Sequence, residues 1–408
     1  MKNLKKIFKS SAVWTVVGCC AVAALAASPG PADCKDDKCE EVSSYVYTPA
    51  PESAINITSK SAFLMEANSG RVLFTKDADK QLPIASMVKI TTLAVIYDAL
   101  ENNEITLDQK VMVSRNASGM GGSQAFLDFD NEYTVDELIK SIIVASANDS
   151  SVAMAELAAG SETEFVNRMN ALAQKLGMSN TNYVNATGLP AVGAYSTAAD
   201  VAKVYAYMMQ SKYYGRHELV WMYDITHPSG RVTGLTNTNK HARFFDSITG
   251  GKTGFTAEAG HCITVSATRG ALKPVSVIIG APDSKTRFAE SGLLLNYVFG
   301  SYTNELIVSK AEPLATVRVR HAMDDKIDLF AEHDHYDLVK RGSKSKPEVR
   351  VEVAEKISAP LGASDAQGKV LVTREGKVVA EVNLVTGVDV DRMSYFDAMK
   401  KVARNYKV

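Results

Sequence analysis

The chain has 408 residues, of which 46% are apolar and 22% charged, and its formal net charge is −1. That length accommodates two domains with terminal segments, and the apolar content suffices for a sizeable core. A balanced charge with no basic stripe in the body of the chain argues against nucleic acid as a partner.

The first nine residues carry Lys2, Lys5, Lys6 and Lys9, and an apolar run from Ala12 to Ala27 follows. The run is shorter than the roughly 20 apolar residues a spanning helix needs. It ends in small residues at Ala24-Leu25-Ala26-Ala27-Ser28, which marks residues 1–27 as a secretory signal. Cys19 and Cys20 leave with that signal; Val16-Val17-Gly18-Cys19 offers a lipoprotein-type alternative that the continuing apolar run disfavours. Residues 28–55, with Pro29, Pro31, Pro49 and Pro51, read as a linker. Within it, Cys34 and Cys39 can pair outside the cell. Cys262, inside an apolar strand, reads as a core residue.

The folded part opens with two strand-like runs, Ser61 to Glu66 and Arg71 to Phe74, joined by Asn68-Ser69-Gly70 as a hairpin. A helix is expected next, entered at Pro83, with Ser86 and Lys89 one turn apart on one face. Thr134-Val135-Asp136-Glu137 and Ser161-Glu162-Thr163-Glu164 both read as capping boxes. Gly177 stops the second of these helices, and a third runs from Ser196 to Ser211. Ser146-Ala147-Asn148 falls between the first two. Alternating runs follow, one opening at Gly250 and continuing through His261 to Thr268, the other from Pro274 to Gly280; a helix from Ser284 to Tyr297 closes this part. The order predicts an α/β (α+β) domain over 56–304, a helix-flanked and mostly antiparallel sheet with a helical subdomain.

Residues 305–390 read as a small all-β domain, with strands expected at Ala315 to Val319, Glu348 to Val353, Lys369 to Thr373 and Lys377 to Leu384. Glu332-His333-Asp334-His335 has too few ligands for a metal centre and reads as a solvated turn. Residues 391–408 place Met393, Phe396, Met399, Val402 and Tyr406 on one helical face, opposite Lys400, Lys401, Arg404 and Lys407. That pattern suits a helix lying on an anionic membrane surface.

Three short motifs stand in order: Ser86-x-x-Lys89, Ser146-x-Asn148 and Lys252-Thr253-Gly254. A serine attacks a carbonyl only when a base takes its proton. A lysine serves as that base only when burial or a second cation lowers its pKa from about 10.4. With the flanking Leu82-Pro83-Ile84-Ala85 and Phe255-Thr256-Ala257-Glu258-Ala259-Gly260, the chain resembles the serine-type D-alanyl-D-alanine carboxypeptidases, low-molecular-mass penicillin-binding proteins with a C-terminal β domain. The resemblance implies a penicillin-binding/β-lactamase-like fold and no cofactor. It implies Ser86 as nucleophile, Lys89 as general base and Ser146 as proton relay. Asn148, Lys252, Thr253, Gly254 and Phe255 would bind substrate, the peptidoglycan stem pentapeptide, with β-lactams as inhibitors at the outer face of the cytoplasmic membrane. A β-lactamase or transpeptidase on the same machinery, and a silent peptidoglycan-binding scaffold, stay open alternatives. Thr187 stands where relatives often carry a histidine, and Glu164 to Asn167 reads as structural rather than deacylating.

Overall fold

The computed structural model describes residues 55–406, apart from Asp325 and Lys344. The expected signal at 1–27, nearly all of the 28–55 linker and the Cys34–Cys39 pair lie outside the described residues.

Strands β1 (Ser61–Glu66) and β2 (Val72–Lys76) form an antiparallel hairpin, turned at Gly70 with φ +68°. A 3₁₀ turn at Ala85–Val88 leads straight into α1 (Lys89–Glu101). The helical subdomain follows: β3 (Lys110–Met112), α2 (Arg115–Ser118), β4 (Glu132–Thr134), α3 (Val135–Ala145), α4 (Asn148–Ala159), α5 (Glu162–Lys175) and α6 (Ala198–Met208). After β5 (Met222–Thr226), β6 (Val232–Thr236) and the short α7 (His241–Phe244), the chain returns to the sheet. There it builds β7 (Ile248–Thr256), β8 (Gly260–Ala267) and β9 (Pro274–Ala281), then α8 (Ser284–Ser301).

These strands make one antiparallel sheet in the order β2-β1-β9-β8-β7, which leaves β7 at an edge. Every residue of β1 and β9 is buried, because helices cover both faces. Side chains alternate between those faces along a strand. Phe63, Met65, Val275, Val277 and Ile279 join the core around α1 and α6. Ala62, Leu64 and Ile278 join the core against α8, with Leu294, Leu295 and Val298. Each such large side chain contributes about 1.5–3 kcal/mol of burial. Cys262 is a buried core thiol, as expected.

Residues from Tyr302 onward form β10 (Tyr302–Val308), β11 (Pro313–Arg320), β12 (Lys326–Ala331), β13 (His335–Lys340), β14 (Glu348–Val353), β15 (Ile357–Ser358), β16 (Gly368–Arg374) and β17 (Lys377–Val385). Six of these make a sheet ordered β14-β16-β17-β12-β11-β15, and β10 pairs with β13. The four strands expected here are present. β10, β12, β13 and β15 were not expected: β10 and β13 lack a regular alternation, β12 alternates only from Lys326 to Leu329, and β15 has just two residues. Glu332 to Asp334 form the turn between β12 and β13. Helix α9 (Tyr395–Tyr406) ends the described chain.

Two expectations need correction. Ser86 does not sit in an α-helix: Ala85 has φ +49°, and the turn through Ser86 is 3₁₀. Packing of two glycines against this turn, described below, overrides the local helical pattern. The box at Thr134–Glu137 is complete, whereas Ser161 caps α5 without the reciprocal bond. The Glu164 carboxylate accepts from Asn167 Nδ2 at 3.1 Å instead.

Candidate active site

The site lies where the 3₁₀ turn meets β7 and the α3–α4 junction. Left-handed backbone at a non-glycine residue costs roughly 1–3 kcal/mol and persists only where its surroundings hold it. At Ala85 those surroundings are two glycines. A Cβ on Gly188 would lie 2.0 Å from the Ala85 carbonyl oxygen, and one on Gly254 would lie 2.8 Å from the Ile84 oxygen and 3.1 Å from the Ser86 nitrogen. Absent side chains at both positions let two backbones close around the turn.

Lys89, the first residue of α1, is fully buried. Its Nζ is 2.6 Å from Asn148 Oδ1, 2.5 Å from the Thr187 carbonyl oxygen and 3.2 Å from Ser86 Oγ. Two of these partners are pure acceptors. A neutral amine has two N–H bonds and one lone pair, so the lone pair is left facing the serine hydroxyl. Burial holds the Lys89 pKa well below the usual lysine range, and the positive charge of Lys252 lowers it further; Asp149 opposes both.

Asn148 opens α4 and is itself held from behind. Its Nδ2 donates to the Gly121 oxygen at 2.7 Å and its backbone N–H to the Ser123 oxygen at 2.7 Å. The adjacent Asp149 carboxylate accepts from the backbone of Ala125 and of Leu127, both at 3.0 Å, and so fixes the loop crossing the helical side of the site.

Ser146 ends α3 in the left-handed region, with φ +60°, and this turn aims its hydroxyl at β7. There Lys252 Nζ donates to Ser146 Oγ at 2.8 Å and to the Thr253 oxygen at 3.0 Å. Burial, with a contribution from Arg287, lowers the Lys252 pKa to about 7. Thr253 Oγ1 donates to Thr238 Oγ1 at 2.8 Å. Beyond Gly254, the exposed Phe255 ring stacks on His261, with centroids 4.3 Å apart and planes 28° apart.

The structure thus brings Ser86, Lys89, Ser146, Asn148, Lys252, Thr253 and Gly254 together, with Phe255 at the rim. Sequence reasoning missed two contributors. The Thr187 carbonyl binds Lys89, but a backbone oxygen carries no side-chain signature; only the Asn-x-x-Gly turn is visible, in which Asn185 Oδ1 accepts from the Gly188 N–H at 2.7 Å. Arg287, on α8, donates from Nη1 to the Gly254 and Cys262 oxygens at 3.0 and 3.3 Å and braces β7 from behind. Glu164 is exposed and bonded within its own helix, in keeping with a structural part.

A sheet backed by one helix, a helical subdomain, and a Ser-x-x-Lys turn at their seam define the class of the penicillin-binding peptidases. The peptidase S11 family, described as D-alanyl-D-alanine carboxypeptidase, matches residues 47–283, and the C-terminal domain of penicillin-binding protein 5 matches residues 302–392. The chain is 34% identical to the D-alanyl-D-alanine carboxypeptidase DacF of Bacillus subtilis, over 84% of this chain and 88% of that one. Among solved structures, penicillin-binding protein 5 of Haemophilus influenzae superposes with a TM-score of 0.68 at 29% identity, covering 83% of this chain and 98% of the other. PBP3 of Streptococcus pneumoniae, described as a peptidoglycan synthesis regulatory factor, gives a TM-score of 0.69 at 26% identity, covering 82% and 100%. This chain therefore belongs to the D-alanyl-D-alanine carboxypeptidase family.

Proposed function

We propose that this protein is a serine D,D-carboxypeptidase that removes the terminal D-alanine from peptidoglycan stem peptides through an acyl-enzyme on Ser86. The contact set of Lys89 Nζ carries this reading: two acceptors take its N–H bonds and leave the lone pair for Ser86 Oγ. Ser86 Oγ attacks the carbonyl between the two D-alanines as its proton passes to Lys89. The backbone N–H groups of Ser86 and Phe255 receive the oxyanion, and the missing side chain of Gly254 lets the carbonyl sit between them. Each such donor is worth about 2.7–4 kcal/mol in the transition state.

The substrate carboxylate binds at Lys252 and the Thr253 hydroxyl. An arriving anion favours the Lys252 cation, and that cation in turn favours neutral Lys89. Ser146, bonded to Lys252, passes a proton to the departing D-alanine amine. Asn148 holds both Lys89 and the substrate peptide. Water then attacks the ester and releases Ser86. β-Lactams acylate the same serine.

The order of a signal segment, this domain, a β domain and a terminal amphipathic helix supports export and attachment to the outer face of the membrane. No helix among the described residues is long and apolar enough to cross a membrane. On α9, Phe396, Met399 and Val402 are 73%, 56% and 57% exposed, an apolar stripe suited to a surface-lying helix. Deleting residues 392–408 should release the exported protein from the membrane fraction without changing its activity; retention in that fraction contradicts the anchor.

The deciding experiment is D-alanine release from a peptide ending Lys-D-Ala-D-Ala. Release that stops after penicillin treatment is the expected result. Covalent penicillin binding without release would point to a transpeptidase or β-lactamase, and neither would point to a scaffold.

A further inference from the structure

The β domain leaves a strand edge open. Strand β14 ends the six-stranded sheet and pairs with β16 alone among the described residues. The Ala354 N–H donates to the Gln367 oxygen at 2.9 Å, and Thr373 Oγ1 donates to the Glu348 oxygen at 3.4 Å. With the register Glu348↔Thr373 to Val353↔Gly368, these bonds set the parity of the strand. Glu348, Arg350 and Glu352 turn their backbone groups toward β16, and Val349 and Val351 turn theirs to the open side. An open edge is a template for a further strand. Charged side chains blunt it when the incoming strand sets like charges opposite them.

Along β14 the charges alternate in sign. Glu348, Arg350 and Glu352 share one face, while Val349 and Val351 continue the face of the buried Val372 and Val370. Two copies of this strand laid antiparallel about a two-fold axis at Val349 set each Glu348 opposite Arg350 of the second copy. Val349 then exchanges backbone hydrogen bonds with Val349 of the second copy, and each Val351 N–H meets a Pro347 carbonyl. Extended chain through Pro347 also brings Lys346 opposite Glu352. An axis at Arg350 would set Arg350 against Arg350 and Glu348 against Glu352, which repulsion disfavours. An axis at Val351 would run the pairing over half-buried Val353, whereas Val349 and Val351 are 46% and 37% exposed.

We propose that the open edge of β14 is a self-association surface, that its partner is a second copy of this chain, and that Glu348 and Arg350 set the register by pairing across the two-fold axis. The proposal does not depend on the reaction at Ser86. One pair of short strands buries less than the roughly 1,200–2,000 Å² of a stable interface. The dimer is therefore weak and reversible in dilute solution.

Sedimentation velocity of the full exported chain in mild detergent, over a rising concentration series, should show reversible dimer formation. Arg350→Glu sets a carboxylate against Glu348 on both sides of the axis and should weaken association by about ten-fold or more. Adding Glu348→Arg to that variant restores opposite charges in this register alone and should recover the wild-type constant. Val349→Pro deletes an N–H that faces the open side and spares the β14–β16 bonds, so it should abolish the dimer and leave the circular dichroism spectrum native. Under oxidation, Val349→Cys should cross-link, because paired Cα atoms lie about 5.5 Å apart and suit a disulfide. Val351→Cys, opposite Pro347, should not. A wild type still monomeric at about 1 mM overturns the proposal. So does association that ignores the charge reversal, as contact through α9 would, or that the double substitution fails to recover.

Discussion

The region from Ser61 to Ser301 and the region from Tyr302 onward bury very different side chains. The first buries Lys89, Asp149, Asp200, Glu218, Lys252 and Glu290 among its polar residues, whereas Thr386 is the only buried polar side chain in the described part of the second. Buried charge is costly unless it is bonded or its pKa shifts, and both happen here. Lys89 and Lys252 have lowered pKa values, while the Glu290 carboxylate is satisfied by the backbone of Thr58 and the hydroxyls of Thr58 and Ser59. The β domain instead buries Val308, Leu329, Val370, Val372, Val382 and Leu384 in a small apolar core. One region buries polar groups at fixed positions for chemistry; the other buries an almost wholly apolar core beneath its strand pairing.

Substitutions can test that contrast. Ser86→Ala removes the only atom proposed to form a covalent bond. D-alanine release should fall by about 10⁶-fold, and covalent labelling by penicillin should disappear while the circular dichroism spectrum stays native. Persistent labelling would move the nucleophile elsewhere. Gly254→Ala inserts a methyl group 2.8 Å from one backbone atom and 3.1 Å from another. Displacing the reacting geometry by about an ångström costs about 10²-fold in kcat/KM; an unchanged rate would show that β7 yields freely.

The pH profile probes the buried cations directly. The pKa of Lys252 is lowered to about 7, so in the free enzyme its proton is lost as pH rises through that value. Capture of the substrate carboxylate needs the cation. The kcat/KM of D-alanine release should therefore decline above about pH 7, with a low-pH limb set by protonation of Lys89. A flat profile up to pH 10 contradicts this assignment. The smallest effect on chemistry belongs to Leu384→Ala, in the fully buried core of the β domain. It should cost about 2–5 kcal/mol of stability, seen as a lower melting temperature, and leave the rate of penicillin acylation at 25 °C unchanged. A slower acylation would mean that the two regions are coupled at the active site.

Much of the peptidase region was legible in the chain because its signals are local. The turn at Gly70, the box at Thr134–Glu137, the stop at Gly177 and the alternation through β8 and β9 each depend on residues within a few positions of one another. In the β domain, β10 and β13 were not legible. Their pairing with each other across about 30 residues satisfies backbone groups whatever the side-chain pattern, and long-range pairing leaves little trace in a short window.

At the site the division is sharper. The sequence by itself determined which functional groups exist and their local spacing: a hydroxyl and an amine three residues apart, a hydroxyl and an amide two apart, and a lysine, a threonine and a glycine in one strand. Tertiary structure alone decided that Ala85 and Ser146 adopt left-handed backbone, that Lys89 is sealed from water beside Lys252, and that the Thr187 carbonyl and Arg287 complete the frame. The physical reason is that a lowered lysine pKa and an aimed lone pair come from burial and from partners 59 and 98 residues away. Those are properties of a packed assembly, and no window of sequence contains them.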